Sequence, residues 1–379
     1  MKRLLDYCSV SGKNVPPFDG IKKYVATGDV INNRITSYEN VDYKNKPSRA
    51  NQIADSNEVL FAKMKDTKKV LLINEKTAKN IYSTGFFVIK ANLNVLPEYL
   101  YWLFNSKKFN QDKDKNSKGA TQKAINLEGL GKIMIKEIPS LDKQKEIINK
   151  INSCNEIIEL KKEQLDELEK LIKSQFVEMF GDPEKNEKNW GVGLIRDLIS
   201  DIKYGTSRPA VENGRYKYLR MNNITYEGKL DLTDIKYIDV PENEIEKCVA
   251  KRGDILFNRT NSRDLVGKTC VYNNDESMII AGFVIRARVN KKANPYFISE
   301  YMNTKYMKNK LKSMCKNACG QSNINSNEFQ NIRIYIPPIE LQNQFAYFVE
   351  HIDKLEFELK KSLEETQNLF DSLMAEYFE

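Results

Sequence analysis

Residues 174–180 (SQFVEMF) decide the architecture, because they return as residues 372–378 (SLMAEYF) after an offset of 198 residues. Other matches keep offsets of 196 to 199 residues and follow one another in the same order along the chain. They pair residues 58–61 with 254–257, 84–86 with 281–283, Pro97 with Pro295, 122–126 with 321–325, and Gln144 with Gln342. A steady offset over most of the 379 residues indicates an internal duplication with small insertions in loops.

Each half of the chain combines a mixed region with a long helical region. Short β-like runs occur between polar loops at residues 70–73, 85–89, 254–257 and 278–289. A helix is predicted to begin near Pro97 in the first half and near Pro295 in the second, because proline favours the first helical position. The mixed regions therefore span residues 1–141 and 181–339, and the helical regions span residues 142–180 and 340–379.

Both helical regions carry a heptad-like apolar seam. Apolar residues recur at steps of three and four from Ile147 to Met179, and again from Phe345 to Tyr377. A polar residue fills the one gap in each seam, Lys161 in the first and Thr366 in the second. One such helix would expose its seam to water, whereas two can bury each other, so we expect them to pack as a coiled coil.

The net charge of +8 is divided unevenly along the chain. Residues 1–141 carry +10 and residues 181–339 carry +7, whereas the two helical regions carry −2 and −7. Two basic modules on an acidic spacer are typical of a protein that binds the phosphates of nucleic acid. The alternative is that helices favour glutamate and leave the remaining regions basic by subtraction.

Composition also excludes several classes of protein. The single histidine, His351, nearly removes Ser-His-Asp and Cys-His catalysis and any histidine-rich metal site. The six cysteines include no Cys-x-x-Cys pair and do not suggest a disulfide framework. The longest apolar stretch, residues 278–285, is far shorter than the roughly 18–20 residues of a membrane span, and Asp6 interrupts any signal-peptide core. We therefore expect a cytoplasmic protein.

The order and duplication of these features resemble the specificity subunit of a Type I restriction-modification system. Residues 138–144 (IPSLDKQ) and 336–342 (IPPIELQ) are similar to the Pro-x-x-x-x-Gln start of that family's conserved helix. Residues 174–183 (SQFVEMFGDP) resemble the end of that helix, and residues 253–262 (GDILFNRTNS) resemble a frequent core motif of its DNA-reading domains. The first half departs from that core motif, with Asn57-Glu58 in place of Gly-Asp.

The resemblance implies an α+β protein with two mixed α/β target recognition domains. Two long helices, packed as an antiparallel coiled coil, would join and space these domains in a pseudo-two-fold internal duplication. Each domain would read one half of a bipartite double-stranded DNA target. The helices would set the gap and dock two methyltransferase subunits, and restriction translocase–nuclease subunits would complete a complex for phage defence. The chain itself would be non-catalytic and hold no cofactor, since S-adenosylmethionine and ATP would belong to the partner subunits.

Polar loops supply the candidate DNA contacts, since arginine can pair with guanine, asparagine or glutamine with adenine, and lysine, serine or threonine with phosphate. In the second domain these candidates are Tyr204, Thr206, Ser207, Arg208, Arg220, Asn222, Arg259, Thr260, Asn261, Ser262, Arg263, Lys268, Gln321, Ser322 and Asn323. In the first domain they are Lys63, Lys65, Lys118, Gln122 and Lys123. The simpler interpretation is that each of them is an ordinary loop residue.

Two other functions remain open from the sequence. One is a single-chain methyltransferase-nuclease with its own recognition module, although no glycine-rich cofactor loop or complete catalytic motif is found. The other is a coiled-coil scaffold whose basic domains bind RNA or protein.

Overall fold

The computed structural model describes residues 1–120, 122–315 and 322–379, which divide into two compact units. Unit 1 comprises Met1–Lys162 and Lys361–Glu379, and unit 2 comprises Glu163–Lys360. Each long helix therefore contributes one of its halves to each unit. The boundaries predicted from the sequence lie at the ends of the long helices, whereas the two compact units divide each helix in its middle. The predicted boundaries remain predictions.

Each unit contains two four-stranded sheets, and the strand order is the same in both units. In unit 1 the neighbouring strands are Glu39–Val41, Lys22–Val25, Ile81–Ser83 and Ala50–Gln52 in one sheet, and Cys8–Val10, Phe86–Ala91, Val59–Ala62 and Val70–Leu72 in the other. In unit 2 they are Lys236–Ile238, Tyr216–Leu219, Met278–Ile280 and Val249–Ala250, and Ile199–Tyr204, Val284–Val289, Ile255–Asn258 and Thr269–Val271. Short two-stranded pairs complete the units: Lys2–Arg3 with Met134–Ile135, Val30–Ile31 with Arg34–Ile35, Gly191–Leu194 with Arg333–Ile336, and Thr260–Asn261 with Ser322–Asn323.

The internal duplication predicted from the sequence is confirmed down to the direction of the strands. In the first sheet of each unit one pair of central strands is parallel, with Ile81 opposite Tyr24 in unit 1 and Tyr218 opposite Ile279 in unit 2. The other pairs in these four-stranded sheets are antiparallel. The predicted run at residues 278–289 is two strands, because a turn at Gly282 separates them.

The α-helices of the described residues also repeat in order, apart from α5, which occurs only in the second half. They are α1 (Pro97–Asn105), α2 (Lys107–Lys115), α3 (Leu127–Leu130), α4 (Leu141–Phe180), α5 (Glu242–Cys248), α6 (Pro295–Asn303), α7 (Lys305–Met314), α8 (Ser326–Gln330) and α9 (Ile339–Phe378). Proline begins α1 and α6, as predicted. The long helices α4 and α9 have 40 residues each, or roughly 60 Å at about 1.5 Å per residue. Within the part of the chain that is described, no helix is both long and apolar enough to span a membrane.

A buried glutamine fixes the start of each long helix. The Gln144 side-chain oxygen accepts from the Leu96 amide at 2.8 Å, and its nitrogen donates to the carbonyls of Asn94 and Pro139. Gln342 does the same in unit 2. There its oxygen accepts from the Asn294 amide at 2.9 Å, and its nitrogen donates to the Lys292 and Pro337 carbonyls. These bonds explain why glutamine lies five residues after proline in both halves, since only a side-chain amide offers an acceptor and two donor hydrogens together.

Replacing Gln342 by leucine should lower the free energy of unfolding of unit 2 by about 2–3 kcal/mol, because a buried amide and a buried carbonyl lose their partner. Chemical denaturation followed by circular dichroism measures the change. Gln344→Leu is the matched control, since Gln344 is exposed on the same helix. Equal stability of the two variants would contradict the role of Gln342.

The two long helices pack against each other in an antiparallel sense, as predicted. In unit 1 the first part of α4, with Ile147 and Ile151, shares a core cluster with Met374 and Phe378 from the last part of α9. In unit 2 the last part of α4, with Ile172, Phe176 and Phe180, shares a cluster with Phe345, Val349 and Ile352 from the first part of α9. These clusters also contain residues of the sheets and of α1 or α6, so the helices share the largest core cluster of each unit with one sheet.

The two polar residues that fill the gaps in the seams meet in unit 1. The Lys161 ammonium donates to the Thr366 hydroxyl at 2.6 Å and to the carbonyl and hydroxyl oxygens of Ser362 at 2.9 and 2.7 Å. A partly buried ammonium with three acceptors has no equally good partners if one helix slides by a turn. We infer that this contact helps to fix the register of the helix pair.

A cavity of about 290 Å³ in unit 2 is lined by α6 and α9 and contains the partly buried side chain of Glu300. Burial raises the pKa of this carboxyl group to about 7, although positive charge on Lys173 and Lys308 opposes the shift. A raised carboxyl pKa means that the folded state binds the proton more tightly, so stability falls as the pH rises from about 4.5 to 7.

Glu300→Gln should therefore melt at a higher temperature than the wild type at pH 8 and at nearly the same temperature at pH 5. Melting curves across this pH range make the comparison. Glu227→Gln is the control, because Glu227 lines the same cavity but is exposed. A Glu300→Gln variant that follows the pH dependence of the wild type would show that Glu300 is not the group responsible.

Candidate nucleic-acid interface

In unit 2, candidate DNA contacts from distant parts of the sequence meet at one end of a four-stranded sheet. The strand Ile199–Tyr204 ends there, Ile255–Asn258 also ends there, and Val284–Val289 begins there, because neighbouring strands are antiparallel. We call the side chains of Tyr204, Ser207, Arg259, Phe283 and Asn323 at this end edge 2.

Arg259 lies at the centre of edge 2. Its backbone amide donates to the Phe283 carbonyl at 3.0 Å, and its carbonyl accepts from the Ile324 amide at 2.9 Å. The guanidinium carbon is 4.8 Å from the centre of the Tyr204 ring, a cation–π distance. The Tyr204 hydroxyl is held in turn by Ser326, whose hydroxyl oxygen and backbone amide both lie 2.8 Å from it. Contacts to both the backbone and the side chain of Arg259 therefore hold this residue in place.

The guanidinium of Arg259 makes few hydrogen bonds within the described part of unit 2. Nη1 donates to the Gly282 carbonyl over a long 3.4 Å, and Nε is buried without a described partner. An arginine that is oriented but poorly hydrogen-bonded retains donors for a ligand, and paired donors are what guanine O6 and N7 accept.

The segment after Arg259 pairs with the second predicted loop. Thr260 and Asn261 form a short antiparallel ladder with Asn323 and Ser322. The hydroxyl of Thr260 donates to the Asn323 side-chain oxygen at 3.0 Å. Thr260 and Ser322 are buried, so they support the edge, whereas Asn323 is exposed. Gln321, predicted to contact DNA from the same loop, lies outside the described residues.

Two further candidates in this loop stabilise the turn that follows the ladder. The Asn261 side chain donates to the Asn258 side-chain oxygen at 2.9 Å and accepts from the Ser262 amide at 2.8 Å. Ser262 and Arg263 are exposed. Lys268 is buried instead, and its ammonium donates to the Met221 carbonyl at 2.7 Å. Burial also lowers the pKa of Lys268. Its hydrogen bond ties two loops of unit 2 together, and its contact with DNA remains a prediction.

The remaining candidates of unit 2 are held by acidic residues or lie in neighbouring loops. Thr206 is half-buried, and its backbone bonds join the segment to Gly282. Arg208 makes a two-pronged pair with Glu244 at 2.8 and 3.2 Å, and Arg220 donates to Asp234 at 2.7 Å. Asn222 is exposed in the turn that follows the strand Tyr216–Leu219. A DNA contact by either arginine would therefore require it to leave an intramolecular carboxylate.

Unit 1 brings its candidates together in the same way, and we call the side chains of Lys63, Lys65, Gln122 and Lys123 edge 1. The Lys65 amide donates to the Lys123 carbonyl at 2.9 Å, and Met64 lies opposite Ala124. Lys65, Gln122 and Lys123 are exposed. Lys118 is also exposed but is paired with Glu128 at 3.3 Å.

Lys63 in unit 1 is the structural counterpart of Arg259 in unit 2. Its amide donates to the Gly85 carbonyl at 2.8 Å, and its carbonyl accepts from the Ile125 amide at 2.9 Å. Its ammonium donates to the Thr84 carbonyl at 2.9 Å and lies 4.5 Å from the centre of the Phe87 ring. Burial lowers the pKa of this lysine. Both units thus place a basic side chain at the same backbone position, with different aromatic neighbours.

Sequence reasoning missed Phe283. It lies in the predicted apolar run and was expected to be part of a strand, but its side chain is 49% exposed at edge 2. The alignment made from the sequence hid this exposure, because it paired Phe283 with the buried Phe86, whereas the backbone hydrogen bonds place Phe283 at the position of Gly85. A phenylalanine at a position that tolerates glycine is not needed to fill the core.

The described residues contain no group of three or more His, Cys, Asp or Glu side chains arranged to hold a metal ion. The edges instead offer guanidinium, ammonium, amide and hydroxyl groups. Groups of these kinds can donate to or accept from base edges and phosphates.

The family model for the Type I restriction modification DNA specificity domain matches this chain twice, over residues 1–170 and 188–366. The chain belongs to this family. The two matches coincide with the two copies of the internal duplication, so edge 1 lies in one specificity domain and edge 2 in the other. The resemblance seen in the short motifs is therefore confirmed over nearly the whole chain.

Curated relatives carry the same family name. The type I restriction enzyme EcoKI specificity subunit of Escherichia coli (strain K12) is 22% identical over 261 residues, which are 64% of this chain and 56% of that protein. The MjaIX specificity subunit of Methanocaldococcus jannaschii is 29% identical over 168 residues, which are 39% of this chain and 38% of that protein. The chain spans about half the length of the curated relatives that it matches, or less.

Two solved structures share the fold of this specificity-domain protein. One comes from work on the complex assembly and conformational transition of a type I R-M system, with a TM-score of 0.62 and 21% identity over 99% of this chain and 96% of that one. The other is the Type-I restriction-modification system S subunit from M. genitalium, with a TM-score of 0.57 and 14% identity over 99% of this chain and 94% of that one. At these identities the likeness shows the fold alone.

Proposed function

We propose that this chain is the DNA-recognition subunit of a Type I restriction-modification complex. Each unit reads one half of a bipartite target on double-stranded DNA, through edge 1 and edge 2. The observation that carries the proposal is the repeated construction of the two edges, in which Lys63 and Arg259 occupy the same backbone position of a duplicated specificity domain. The edges differ in side chains, so the two half-sites differ in sequence.

The distribution of charge supports binding to DNA. The two mixed regions carry +10 and +7, whereas the helical regions are acidic. Binding to phosphate releases condensed counterions, so the affinity should fall steeply as the salt concentration rises. The proposed function includes a cytoplasmic location.

The chain contributes recognition and leaves the chemistry to its partners. Two methyltransferase subunits dock on the helices and carry S-adenosylmethionine, and restriction translocase–nuclease subunits use ATP. The helices α4 and α9 set the length of the unread gap between the half-sites. The support for these partners is membership of the family.

Mapping methylated bases across the genome, with and without the gene for this chain, tests the proposal. We expect one split motif to lose its methylation when the gene is deleted and to regain it when the gene is restored. Unchanged methylation at every motif, in a strain whose methyltransferase subunit is expressed and active, would overturn the proposal.

Two further measurements separate the other functions that the sequence left open. Incubation of the purified chain with labelled S-adenosylmethionine and DNA should transfer no label unless the methyltransferase subunit is added. Duplex DNA with the mapped motif should compete for the reconstituted complex far better than RNA of equal length. Methyl transfer by the chain alone would support a single-chain methyltransferase, and better competition by RNA would support a scaffold function.

A further inference from the structure

We propose that Phe283 is a specificity-determining residue that contacts the C5-methyl group of a thymine, next to a guanine read by Arg259. The inference rests on the proposed function and names the base pairs that edge 2 recognises. It predicts a T·A pair beside a G·C pair in the half-site of unit 2.

The sheet places the two side chains next to each other. Phe257 and Ile285 are cross-strand partners in the same core cluster of unit 2. Arg259 directly follows the strand Ile255–Asn258, and Phe283 directly precedes the strand Val284–Val289. The bond from the Arg259 amide to the Phe283 carbonyl makes them direct neighbours, and such neighbours have Cβ atoms about 4.5–5.5 Å apart.

The turn that carries Phe283 is fixed by its own backbone bonds. The Gly282 amide donates to the Thr206 carbonyl at 2.8 Å, and the Val284 amide donates to the Ala281 carbonyl at 2.8 Å. A Cβ on Gly282 would lie 3.1 Å from the Ser207 hydroxyl, so the two turns are closely packed. The phenylalanine is therefore presented by a rigid turn although half of its side chain is exposed.

The chemistry of the neighbours indicates which ligand would cover this ring. Arg259 and the exposed side chains of Ser207 and Asn323 lie at the same edge and offer hydrogen-bonding groups, which an apolar protein surface would leave unpaired. The major groove of DNA offers polar base edges with one apolar group among them, the thymine methyl. Guanine beside thymine therefore matches an arginine beside a phenylalanine.

Unit 1 lacks this combination. The Gly85 carbonyl accepts from the Lys63 amide, just as the Phe283 carbonyl accepts from the Arg259 amide. Unit 1 therefore has a glycine at the position where unit 2 has the exposed ring. The strand register likewise places Gly12 at the position of Tyr204. Edge 1 therefore has neither the ring proposed to contact thymine nor the tyrosine that orients the basic residue. The thymine contact is expected in only one of the two half-sites.

Substitution of uracil for thymine tests the contact, because it removes the methyl group alone. The mapped motif is synthesised with each thymine replaced in turn, and the affinity of the complex of this chain with its methyltransferase subunits is measured. Exchange of residues 181–339 with another family member assigns the half-sites. One uracil substitution in the half-site of unit 2 should weaken binding about fourfold, the value of one buried methyl group.

The variants then connect this methyl group to Phe283. Phe283→Ala should weaken binding to the thymine duplex about fourfold and should make the complex insensitive to that uracil substitution. Phe283→Leu retains an apolar side chain and should retain the sensitivity. The effects of uracil in the other half-site should be the same in all variants. Leu93→Ala, which truncates a fully exposed side chain in unit 1, should change none of these values.

The outcomes separate this inference from the proposed function. A half-site of unit 2 without thymine, or equal sensitivity to uracil in the wild type and in Phe283→Ala, would overturn the role of Phe283 and leave the proposed function in place. Loss of melting cooperativity in Phe283→Ala would shift the test to Phe283→Leu and Phe283→Ser, of which only the serine variant should lose the sensitivity. Absence of any split motif dependent on this chain would overturn the proposed function itself.

Discussion

Exchanging residues 181–339 for the corresponding segment of another family member will change one half of the methylated motif and leave the other half as it is. The physical reason is that edge 2 is built entirely from this segment, whereas edge 1 is built from residues 63–125. Methylation mapping of a strain that carries the exchanged gene measures the result. We expect methylation at the original motif to be lost completely. Each wrong base pair in a site costs about 1–3 kcal/mol of binding free energy, and the original half-site presents several wrong base pairs to the new segment.

The exchange has one structural requirement. Within unit 2 the segment packs on α4 through aromatic contacts, since the ring centre of Phe297 lies 4.9 Å from that of Phe180 and 5.9 Å from that of Phe176. The donor segment should therefore keep an aromatic residue at position 297. The reciprocal exchange of residues 1–141 is the control and should change only the other half of the motif. A change in both halves after a single exchange would contradict the independence of the two edges.

Replacing Asp201 by alanine will destabilise unit 2 by about 3 kcal/mol. Asp201 forms an ion pair with Arg286, whose side chain is 1% exposed. The guanidinium also donates to the Val249 carbonyl at 3.1 Å, but its Nε has no partner among the described residues. Burial lowers the pKa of Arg286, yet arginine remains charged, so the variant leaves a positive charge in a poorly solvated site.

Urea-induced unfolding measures this loss, and two further variants interpret it. Asp275→Ala removes an exposed partner of Arg252 and should cost less than about 1 kcal/mol. The strand register places Ser9 and Val88 of unit 1 at the positions of Asp201 and Arg286. The double variant Asp201→Ser with Arg286→Val copies these residues and should recover most of the stability. If Asp201→Ala and Asp275→Ala lower the free energy of unfolding equally, the ion pair between Asp201 and Arg286 contributes no more than an exposed pair.

The repeated segments predicted more of the fold than any single motif. The offset of 198 residues implied two copies of one unit, and the structure shows the same strand order in both. The heptad seams predicted two long helices that pack together, because an apolar stripe of that length must be buried. In the sequence, Gln144 and Gln342 show only that a glutamine recurs at the same position in both halves. Their hydrogen bonds explain why it recurs.

The candidate DNA contacts were predicted less completely, because composition and loop position do not reveal whether a side chain is already bonded. Lys268 resembled a phosphate contact but is buried against the Met221 carbonyl. Arg208 and Arg220 are paired with carboxylates that lie 36 and 14 residues away. Such pairings form through the fold and leave no mark in the local sequence. Arg259, Asn323 and Lys65 remain predicted contacts that the geometry favours.

The sequence by itself determined the duplication, the helix seams, the separation of charge and the family, since each of these is a periodic or additive property of the residues. The tertiary structure alone decided which side chains share an edge. Tyr204, Arg259, Phe283 and Asn323 are separated by 24 to 55 residues along the chain and meet only because antiparallel strands bring opposite ends together. It also decided that Phe283 is exposed, because burial depends on what lies above a strand and not on the strand's own apolar pattern.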